Sequence, residues 1–482
     1  MMVLTATSQY ARSAFARGAG KPTANASPES PSQLWLLFEK VSSHLADRVQ
    51  ARRFRCLVEQ GHPFGRWLKR VSTELNPKAR ESLVRTLYGN AWFLGRSARR
   101  RFQRTHGFAP PYLVVLDVTA RCNLRCEGCW AGMYGRNDDL PYELLDKAVT
   151  EAEREMGVHF FVFSGGEPTL RKDLYDLYRA HADSHFQIYT NGTLIDADMA
   201  AQFADCGNVM PMLSVEGDAV LTDTRRGRGV HDLVMSAMDN LRREGVLFGF
   251  SVTAVKSNAD VIMSDEFIER LIERGCLYGW YFQYIPIGRN PNLDLMVTAE
   301  QREVMRVRAY ELRNKYPIFL ADFWNDGTEA DGCMAGGKRY LHVNNNGDIE
   351  PCVFCHFAVD NLKDTTLTEA LKHPFLRAIR DGIPYDGNLL RPCMLIDRPE
   401  VFREHARKYG AKPTHPVAET LVGGLADGVD ERARAWAEIA DERWRCGEGL
   451  PSIHTRAAKA QPTCSRIARQ APASELAESH RR

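Results

Sequence analysis

Three cysteines lie close together in the first third of the chain, at Cys122, Cys126 and Cys129. Three thiolates within one short segment can share a metal centre. A structural zinc site normally closes with four protein ligands, and neither a His nor a Cys stands nearby in sequence to complete the set. A four-iron cluster held by three cysteines instead leaves one iron open to a substrate or cofactor. We therefore expect an iron–sulfur centre here, with zinc as the alternative.

The spacing Cys122-x3-Cys126-x2-Cys129, followed by the aromatic Trp130, resembles the hallmark of the radical S-adenosylmethionine (radical SAM) superfamily. The resemblance implies a [4Fe–4S] cluster whose open iron binds S-adenosylmethionine (SAM). It also implies reductive cleavage of SAM to methionine and a 5′-deoxyadenosyl radical, which takes hydrogen from a substrate. In such enzymes the cofactor does the hard chemistry, so the expected electron donor is a low-potential ferredoxin or flavodoxin.

Motifs at the ends of later predicted strands match the same family in the same order. In Gly165-Gly166-Glu167-Pro168, the glycines let the backbone approach a ligand and the carboxylate can receive an ammonium group. A Gly-Gly pair by itself is more often a turn. By resemblance, these four residues contact the amino group of SAM. Other SAM contacts implied by the resemblance involve Trp130, Thr190, Asn191, Ser214, Glu216, Arg226 and Ile287.

Two of these positions have an open alternative. Glu216 stands where the family often has Asp, as part of a segment that contacts the ribose. Arg226 belongs to the run Arg225–Gly229, in which one arginine is expected to pair with the methionine carboxylate. A solvated charge is the alternative for each arginine. Ile287 lies in a segment that resembles the one packing on adenine in family members.

Four more cysteines follow the predicted barrel, and the stretch from Cys333 to Cys352 resembles a SPASM or shorter twitch extension, which carries auxiliary clusters. The dense later series of cysteines of the full SPASM pattern is missing, so we expect one auxiliary four-iron cluster. Cys333, Cys352 and Cys393 are the expected ligands. Cys355, Cys446 or His356 completes the set, or one iron is left for substrate.

Ordinary buried cysteines are the alternative for this second group. We adopt that interpretation for the cysteines that have no partner in spacing, because a free Cys commonly behaves as a small hydrophobic residue. These are Cys56, Cys206, Cys276 and Cys464.

The elements that position these residues are repeated strand–helix units. After residue 111, β-rich runs alternate with amphipathic patterns, which is typical of a parallel sheet. Strands are predicted at Tyr112–Leu116, Phe160–Phe163, Phe186–Tyr189, Met210–Val215, Phe248–Thr253 and Trp280–Tyr284. Helices are predicted at Tyr142–Met156, Leu174–Ser184, Met199–Cys206, Val230–Glu244, Glu266–Arg274 and Glu300–Lys315. The predicted fold class is α/β, a partial (β/α)6 TIM-like barrel with ligand groups at the C-terminal strand ends.

The remaining segments frame this barrel. We expect a helical prelude before it and a small cysteine-containing extension after it, with a hairpin formed by Leu341–Val343 and Ile349–Glu350. The predicted divisions are a disordered leader at 1–33, a basic helical region at 34–110, the barrel at 111–320, the extension at 321–400, a helical region at 401–445 and a disordered tail at 446–482.

Charge is distributed unevenly along the chain. Residues 1–105 contain 19 Lys and Arg but 6 Asp and Glu, although the formal net charge of the whole chain is +2. A basic front suits a solvated helical face, or peripheral contact with an anionic membrane. No specific nucleic acid is expected. Cysteines without a secretory signal and the lack of a membrane-length apolar run predict a cytoplasmic protein.

The leading functional hypothesis is oxidative modification of a peptide or protein side chain, because SPASM-like extensions are common in peptide maturases. One alternative is a lipid or small metabolite as substrate. Another is a non-catalytic sensor or electron carrier, which the intact Gly165–Pro168 motif disfavours. The residues expected to line the substrate pocket are Trp280, Tyr284, Trp324 and Asn325.

Overall fold

The computed structural model describes residues 58–134 and 139–448. The predicted leader at 1–33, residues 449–482 of the predicted tail, and both Cys56 and Cys464 lie outside the described residues. Among the residues it does describe, no helix combines the length and the apolar character needed to cross a membrane.

A parallel sheet forms the centre of the molecule. Seven strands follow one another in chain order, each hydrogen-bonded in parallel to the next. The predicted α/β class with a partial barrel is confirmed. The predicted set of six strands was one short, because the last strand has only four residues and its first is exposed. The strands are β1 Leu113–Thr119, β2 Phe160–Gly165, β3 His185–Thr190, β4 Val209–Ser214, β5 Gly249–Ala254, β6 Tyr278–Gln283 and β7 Phe319–Asp322.

Helices cover the outer face of this sheet and bury the alternate apolar residues of the strands. All six predicted helices are present, although the second ends at Ala180 rather than Ser184. Sequence reasoning missed Ala219–Arg226, which begins at an Asp218 cap. Numbered after three N-terminal helices, they are α4 Tyr142–Glu151 with a π-helical end at Ala152–Met156, α5 Leu174–Ala180, α6 Ala197–Cys206, α7 Ala219–Arg226, α8 Val230–Arg243, α9 Ala259–Ile262, α10 Asp265–Glu273 and α11 Ala299–Lys315.

The N-terminal helices close one end of the barrel. Trp67 lies against Tyr278 at the start of β6, with ring centroids 5.6 Å apart, and its indole N–H donates to the Leu277 carbonyl at 2.9 Å. Arg70 donates to the carbonyls of Cys276 and Pro317 at 3.0 and 3.1 Å. The apolar face of this basic region therefore packs on the strand starts. These helices are α1 Pro63–Glu74, α2 Pro77–Leu83, a π-helical stretch at Val84–Leu94 and α3 Gly95–His106.

The cysteine-containing extension continues the same sheet. The predicted hairpin is present as β8 Tyr340–Val343 and β9 Asp348–Glu350. β8 pairs in parallel with β1, so the sheet grows beyond β1 while β7 stays at the opposite edge. The later elements are α12 Gly327–Ala330, β10 Phe357–Ala358, β11 Asp360–Asn361, α13 Leu367–Ala370, α14 Pro374–Gly382, α15 Pro399–Lys408, β12 Lys412–Pro413 and α16 Ala426–Arg445.

Candidate functional site

The first three cysteines follow β1 in one partly exposed loop, residues 122–129, called here the Cys loop. Cys122 is exposed, and Cys126 and Cys129 are half-buried. Loss of hydration raises the pKa of the Cys122 thiol to about 11 and also raises that of Cys129. Without a metal, Cys122 and Cys129 therefore keep their protons, which metal binding displaces.

The glycine pair after β2 packs on this loop. A Cβ on Gly166 would lie 2.1 Å from the Arg121 carbonyl oxygen, and one on Gly165 would lie 2.5 Å from that of Thr119. The Gly166 N–H donates to Thr119 at 2.6 Å, and the Glu167 N–H donates to Arg121 at 2.7 Å. The glycines were expected to make room for a ligand. The close approach that the structure shows is to the backbone of Thr119 and Arg121, which leads into the Cys loop.

The Glu167 carboxylate, which follows β2, forms hydrogen bonds to the end of β3 and, through Asn191, links it to the Cys loop. Its Oε1 accepts the hydroxyls of Thr169 and Thr190 at 2.6 and 2.7 Å, and its Oε2 accepts the Asn191 N–H at 2.7 Å. The Asn191 amide also donates to Asn123 in the Cys loop at 2.8 Å. Burial raises the pKa of Glu167, although these hydrogen bonds oppose that shift. The carboxylate therefore holds the predicted pocket residues in register before any ligand binds.

Glu216 and Arg226 are brought together as a buried ion pair. Both guanidinium edge nitrogens of Arg226 reach Glu216 Oε1, and Arg225 Nη1 donates to the same oxygen at 2.7 Å. Arg226 Nη1 lies 4.0 Å from Cys126 Sγ. Solvated charge, the alternative for Arg225 and Arg226, does not describe side chains that are about 11% exposed.

The segment after β6 supports the Cys loop from the other side. The Arg289 N–H donates to the Cys129 carbonyl at 3.0 Å, and a Cβ on Gly288 would lie 2.3 Å from that oxygen. Ile287 is buried beside them. Tyr284 contacts Gly128 and is 2% exposed, so it packs under the loop. Ser214, on the far side, lies 3.4 Å from Ser251 between their hydroxyl oxygens.

Aromatic side chains line the interior face of β3, β6 and β7. Phe282 lies 5.4 Å from Tyr189, 5.9 Å from Trp280 and 5.4 Å from Phe323, measured between ring centroids. All four rings are only partly buried. We call these four rings the aromatic wall. Of the residues predicted to line the substrate pocket, Trp280 belongs to it. Sequence reasoning missed the other three. A signal was available only for Phe282, which stands two residues after Trp280 and so faces the same side of β6.

A second group of thiols lines a cavity at the gap between β7 and β8. Cys333, Cys352 and Cys393 line the same cavity. Phe323 and Trp324, just after β7, and Tyr340, which starts β8, line the same cavity. The cavity therefore occupies the place where the barrel does not close. We call it the auxiliary cavity.

The Cys393 turn is anchored to the barrel. The Cys393 N–H donates to Asp397 at 2.9 Å, and Asp397 forms a buried ion pair with Arg302 on α11. Arg302 also donates to Asn325 at 3.2 Å and lies 4.3 Å from the Trp436 ring of α16. Asn325, expected in the substrate pocket, belongs to this anchor.

The expected fourth ligands differ in their surroundings. Cys355 is buried beside Cys352, and its N–H donates to the Cys352 carbonyl at 2.9 Å, but it is not among the residues that line the auxiliary cavity. His356 contacts His415 at 2.5 Å and the Val353 carbonyl at 3.2 Å through its two ring nitrogens. Cys446 is disulfide-bonded.

Trp130 connects the two thiol groups. Its ring lies 5.9 Å from Phe354, which stands between Cys352 and Cys355, and 5.9 Å from His356. The residue that follows Cys129 thus packs on the extension. Its predicted contact with SAM stays a prediction.

A buried charged network lies beside this contact. His342 Nε2 is 3.0 Å from Asp117 on β1, and its Nδ1 is 2.8 Å from Glu350 on β9. All three side chains are fully buried. Asp117 also accepts the Ser164 hydroxyl at 2.7 Å, and Glu350 accepts that of Thr414 at 2.7 Å. The network joins the barrel strands to the extension, and nothing local in the sequence indicated it.

Comparison with protein families matches both regions. Residues 116–255 match the radical SAM superfamily, and residues 333–395 match SPASM, the iron–sulfur cluster-binding domain. The protein is a radical SAM enzyme with a SPASM domain. A radical SAM domain implies a [4Fe–4S] cluster and SAM, and a SPASM domain implies additional auxiliary iron–sulfur clusters. A radical SAM–SPASM enzyme also needs a reductant and a substrate.

Relatives of this radical SAM–SPASM enzyme have different named functions. It is 27% identical over 393 residues to mycofactocin maturase MftC of Mycolicibacterium smegmatis, covering 77% of this chain and 95% of that one. It is 28% identical over 312 residues to AdoMet-dependent heme synthase of Oleidesulfovibrio alaskensis, covering 57% and 78%. The crystal structure of Streptococcus suis SuiB bound to S-adenosylmethionine shares the fold, with a TM-score of 0.52, 18% identity, and coverage of 75% and 87%.

Both thiol groups fit the clusters that the radical SAM and SPASM domains imply. Within residues 58–134 and 139–448, no three Cys, His, Asp or Glu side chains are arranged to hold a single metal ion. A cluster spreads its thiolates over several irons, so this spacing is compatible with it. In the Cys loop, Cys122 is exposed beside two half-buried thiols, and in the extension three thiols line one cavity.

Proposed function

We propose that this enzyme oxidises a peptide or protein side chain by radical chemistry, with Cys122, Cys126 and Cys129 holding the SAM-cleaving cluster. The observation that carries the proposal is a second three-thiol cavity, joined to the Cys loop through the contact between Trp130 and Phe354. A side-chain oxidation needs an electron acceptor close to the radical, and a cluster in that cavity would be one.

The residues around the Cys loop have distinct proposed roles. Gly165 and Gly166 hold the loop against β2, and Glu167 fixes Thr190 and Asn191 beside it. Arg226 compensates negative charge at Cys126, and Glu216 orients that arginine. The segment containing Ile287, together with Pro168, Ser214 and Trp130, completes the proposed SAM pocket. When bound, the cluster supplies the electron that breaks a carbon–sulfur bond of SAM, giving methionine and a 5′-deoxyadenosyl radical that takes a hydrogen atom from substrate.

The auxiliary cavity is proposed to hold one four-iron cluster through Cys333, Cys352 and Cys393. Cys355 is the proposed fourth ligand only if its thiol turns toward the cavity when metal binds. A cluster held there would accept the one electron that the substrate radical gives up as it loses a proton to water. A ferredoxin or flavodoxin supplies the single electron that SAM cleavage consumes.

The substrate is proposed to enter along the aromatic wall of Tyr189, Trp280, Phe282 and Phe323. The wall lies between the strand ends that carry the SAM motifs and the auxiliary cavity, since Phe323 lines that cavity as well. A peptide substrate is supported by the mycofactocin maturase relative, which matches over nearly its whole length.

Anaerobic reconstitution with iron and sulfide, followed by dithionite and chromatography, tests the chemistry. We expect 5′-deoxyadenosine and about eight irons per chain, four for each cluster. Zinc binding without SAM cleavage would contradict it. The substrate class is tested by adding a peptide-sized extract from the source cells, with or without protease treatment. We expect the extract to stimulate 5′-deoxyadenosine formation and protease to remove the effect, whereas stimulation by a lipid extract alone would exclude the peptide.

A further inference from the structure

The three thiols of the auxiliary cavity share one kind of backbone hydrogen bond. Each sulfur accepts the N–H of the residue two positions later, from Ala335 to Cys333 at 3.5 Å, from Phe354 to Cys352 at 3.4 Å and from Leu395 to Cys393 at 3.3 Å. These three hydrogen bonds have similar lengths, so they do not distinguish one sulfur from another.

Cys352 also has a donor from a side chain. The Tyr340 hydroxyl lies 2.9 Å from Cys352 Sγ, and Tyr340 is 2% exposed. The hydroxyl oxygen also accepts the Val353 N–H at 3.3 Å. A hydroxyl has one proton to donate. Because Val353 is itself a donor to the Tyr340 oxygen, the hydroxyl proton is directed at the sulfur. The backbone holds Tyr340 in place, since it opens β8 opposite Leu113 of β1.

We propose that Tyr340 is a positioning residue that raises the reduction potential of the auxiliary cluster through its hydrogen bond to Cys352. The inference rests on the proposed function, in which Cys352 is a cluster ligand. Hydrogen bonds to the sulfurs are among the factors that set cluster potentials. A donor stabilises the reduced, more negative cluster, so it makes the cluster a better acceptor of the one electron that the substrate radical gives up, while the accompanying proton goes to water.

Packing alone does not require the hydroxyl. The Tyr340 ring lies 6.2 Å from Phe323, and a phenylalanine would keep that contact. Only the hydroxyl group reaches Cys352 and Val353. The two roles therefore separate in a Tyr340→Phe variant.

The test uses the full chain carrying Cys122→Ala, Cys126→Ala and Cys129→Ala, so that only the auxiliary cluster remains. Its midpoint potential is measured by redox titration followed by electron paramagnetic resonance. For Tyr340→Phe we expect about a tenfold shift of the equilibrium toward the oxidised cluster, or about 59 mV lower for a one-electron couple. The matched control is Tyr281→Phe, whose equally buried hydroxyl donates to the Ile262 carbonyl at 3.0 Å in the barrel. The control should leave the potential unchanged.

A second variant keeps the shape of the ring. A 3-fluorotyrosine at position 340 has a more acidic hydroxyl and should raise the potential above that of Tyr340. If the Tyr340→Phe chain does not bind iron, the potential of the fluorotyrosine protein tests the inference instead. An unchanged potential in the fluorotyrosine protein, or equal shifts in Tyr340→Phe and Tyr281→Phe, would overturn the inference. Failure of the unmutated chain to cleave SAM would instead count against the proposed function, because the triple-alanine background does not depend on that reaction.

Discussion

The Cys loop and the auxiliary cavity each present three thiols, but they do so in opposite ways. The Cys loop draws all of them from residues 122–129, leaves Cys122 exposed and has Arg226 beside Cys126. The auxiliary cavity draws them from positions 333, 352 and 393 and surrounds them with aromatic and apolar side chains. The first is open to a ligand, and the second is enclosed by the fold. A site that must admit SAM and a site that only exchanges electrons need this difference.

The largest expected effect separates the two sites completely. Cys126→Ala should abolish SAM cleavage while the chain keeps about four irons, because the auxiliary thiols are untouched. Cys393→Ala should also keep about four irons but continue to form 5′-deoxyadenosine. Iron content and 5′-deoxyadenosine are measured in the same anaerobic samples. Complete loss of iron from either variant would show that the sites do not fold independently.

The His342 network tests the junction between the regions. Burial disfavours the imidazolium, but Asp117 and Glu350 outweigh it and raise the pKa of His342 to about 10. Because this pKa exceeds the unfolded value of about 6.5, the stabilisation is complete below about pH 6.5 and is lost as the pH rises toward 10. His342→Gln should cost about 3–5 kcal/mol and flatten that pH dependence. Urea unfolding at several pH values measures both, with His62→Gln, at a half-buried histidine that contacts Asn314, as the control.

The packing of the glycine pair is specific to the Cys loop. Gly166→Ala should lower the free energy of unfolding by about 1–3 kcal/mol, since the new methyl group meets the Arg121 carbonyl. Iron should fall from about eight to about four per chain, because only the Cys loop is displaced. Gly424→Ala is the matched control, since a Cβ there meets no atom within 4 Å. Equal iron loss in both variants would contradict this role.

The smallest expected effect concerns the aromatic link. A double-mutant cycle of Trp130→Leu and Phe354→Leu should give a coupling energy of about 0.5–1.5 kcal/mol, measured by urea unfolding. A cycle that pairs Trp130→Leu with Phe203→Leu should give none, since the Phe203 ring lies against Tyr175 on the outer helices. Coupling near zero in the first cycle would mean that this ring contact does not join the two sites.

What the sequence predicted well was local. The cysteine spacing, Gly165-Gly166-Glu167-Pro168 and six apolar strands are each readable within a few residues, and the fold and family are confirmed. The missed features depend on distant contacts. Strand β7 has only four residues, and His342 meets Asp117 only after the extension joins β1. The sequence also could not show what packs against the glycine pair. The carbonyl that excludes a side chain at Gly166 lies 45 residues earlier, at Arg121.

The helices that cover the strand starts give the barrel a floor. Trp67 and Arg70 fasten this floor to backbone carbonyls at the beginning of β6 and just before β7, so it does not depend on side chains that a substrate would displace. A primary carbon radical reacts with almost any nearby hydrogen donor, and excluding solvent limits such side reactions. The basic helices therefore close the barrel interior at the strand starts, where a radical formed inside would otherwise meet solvent.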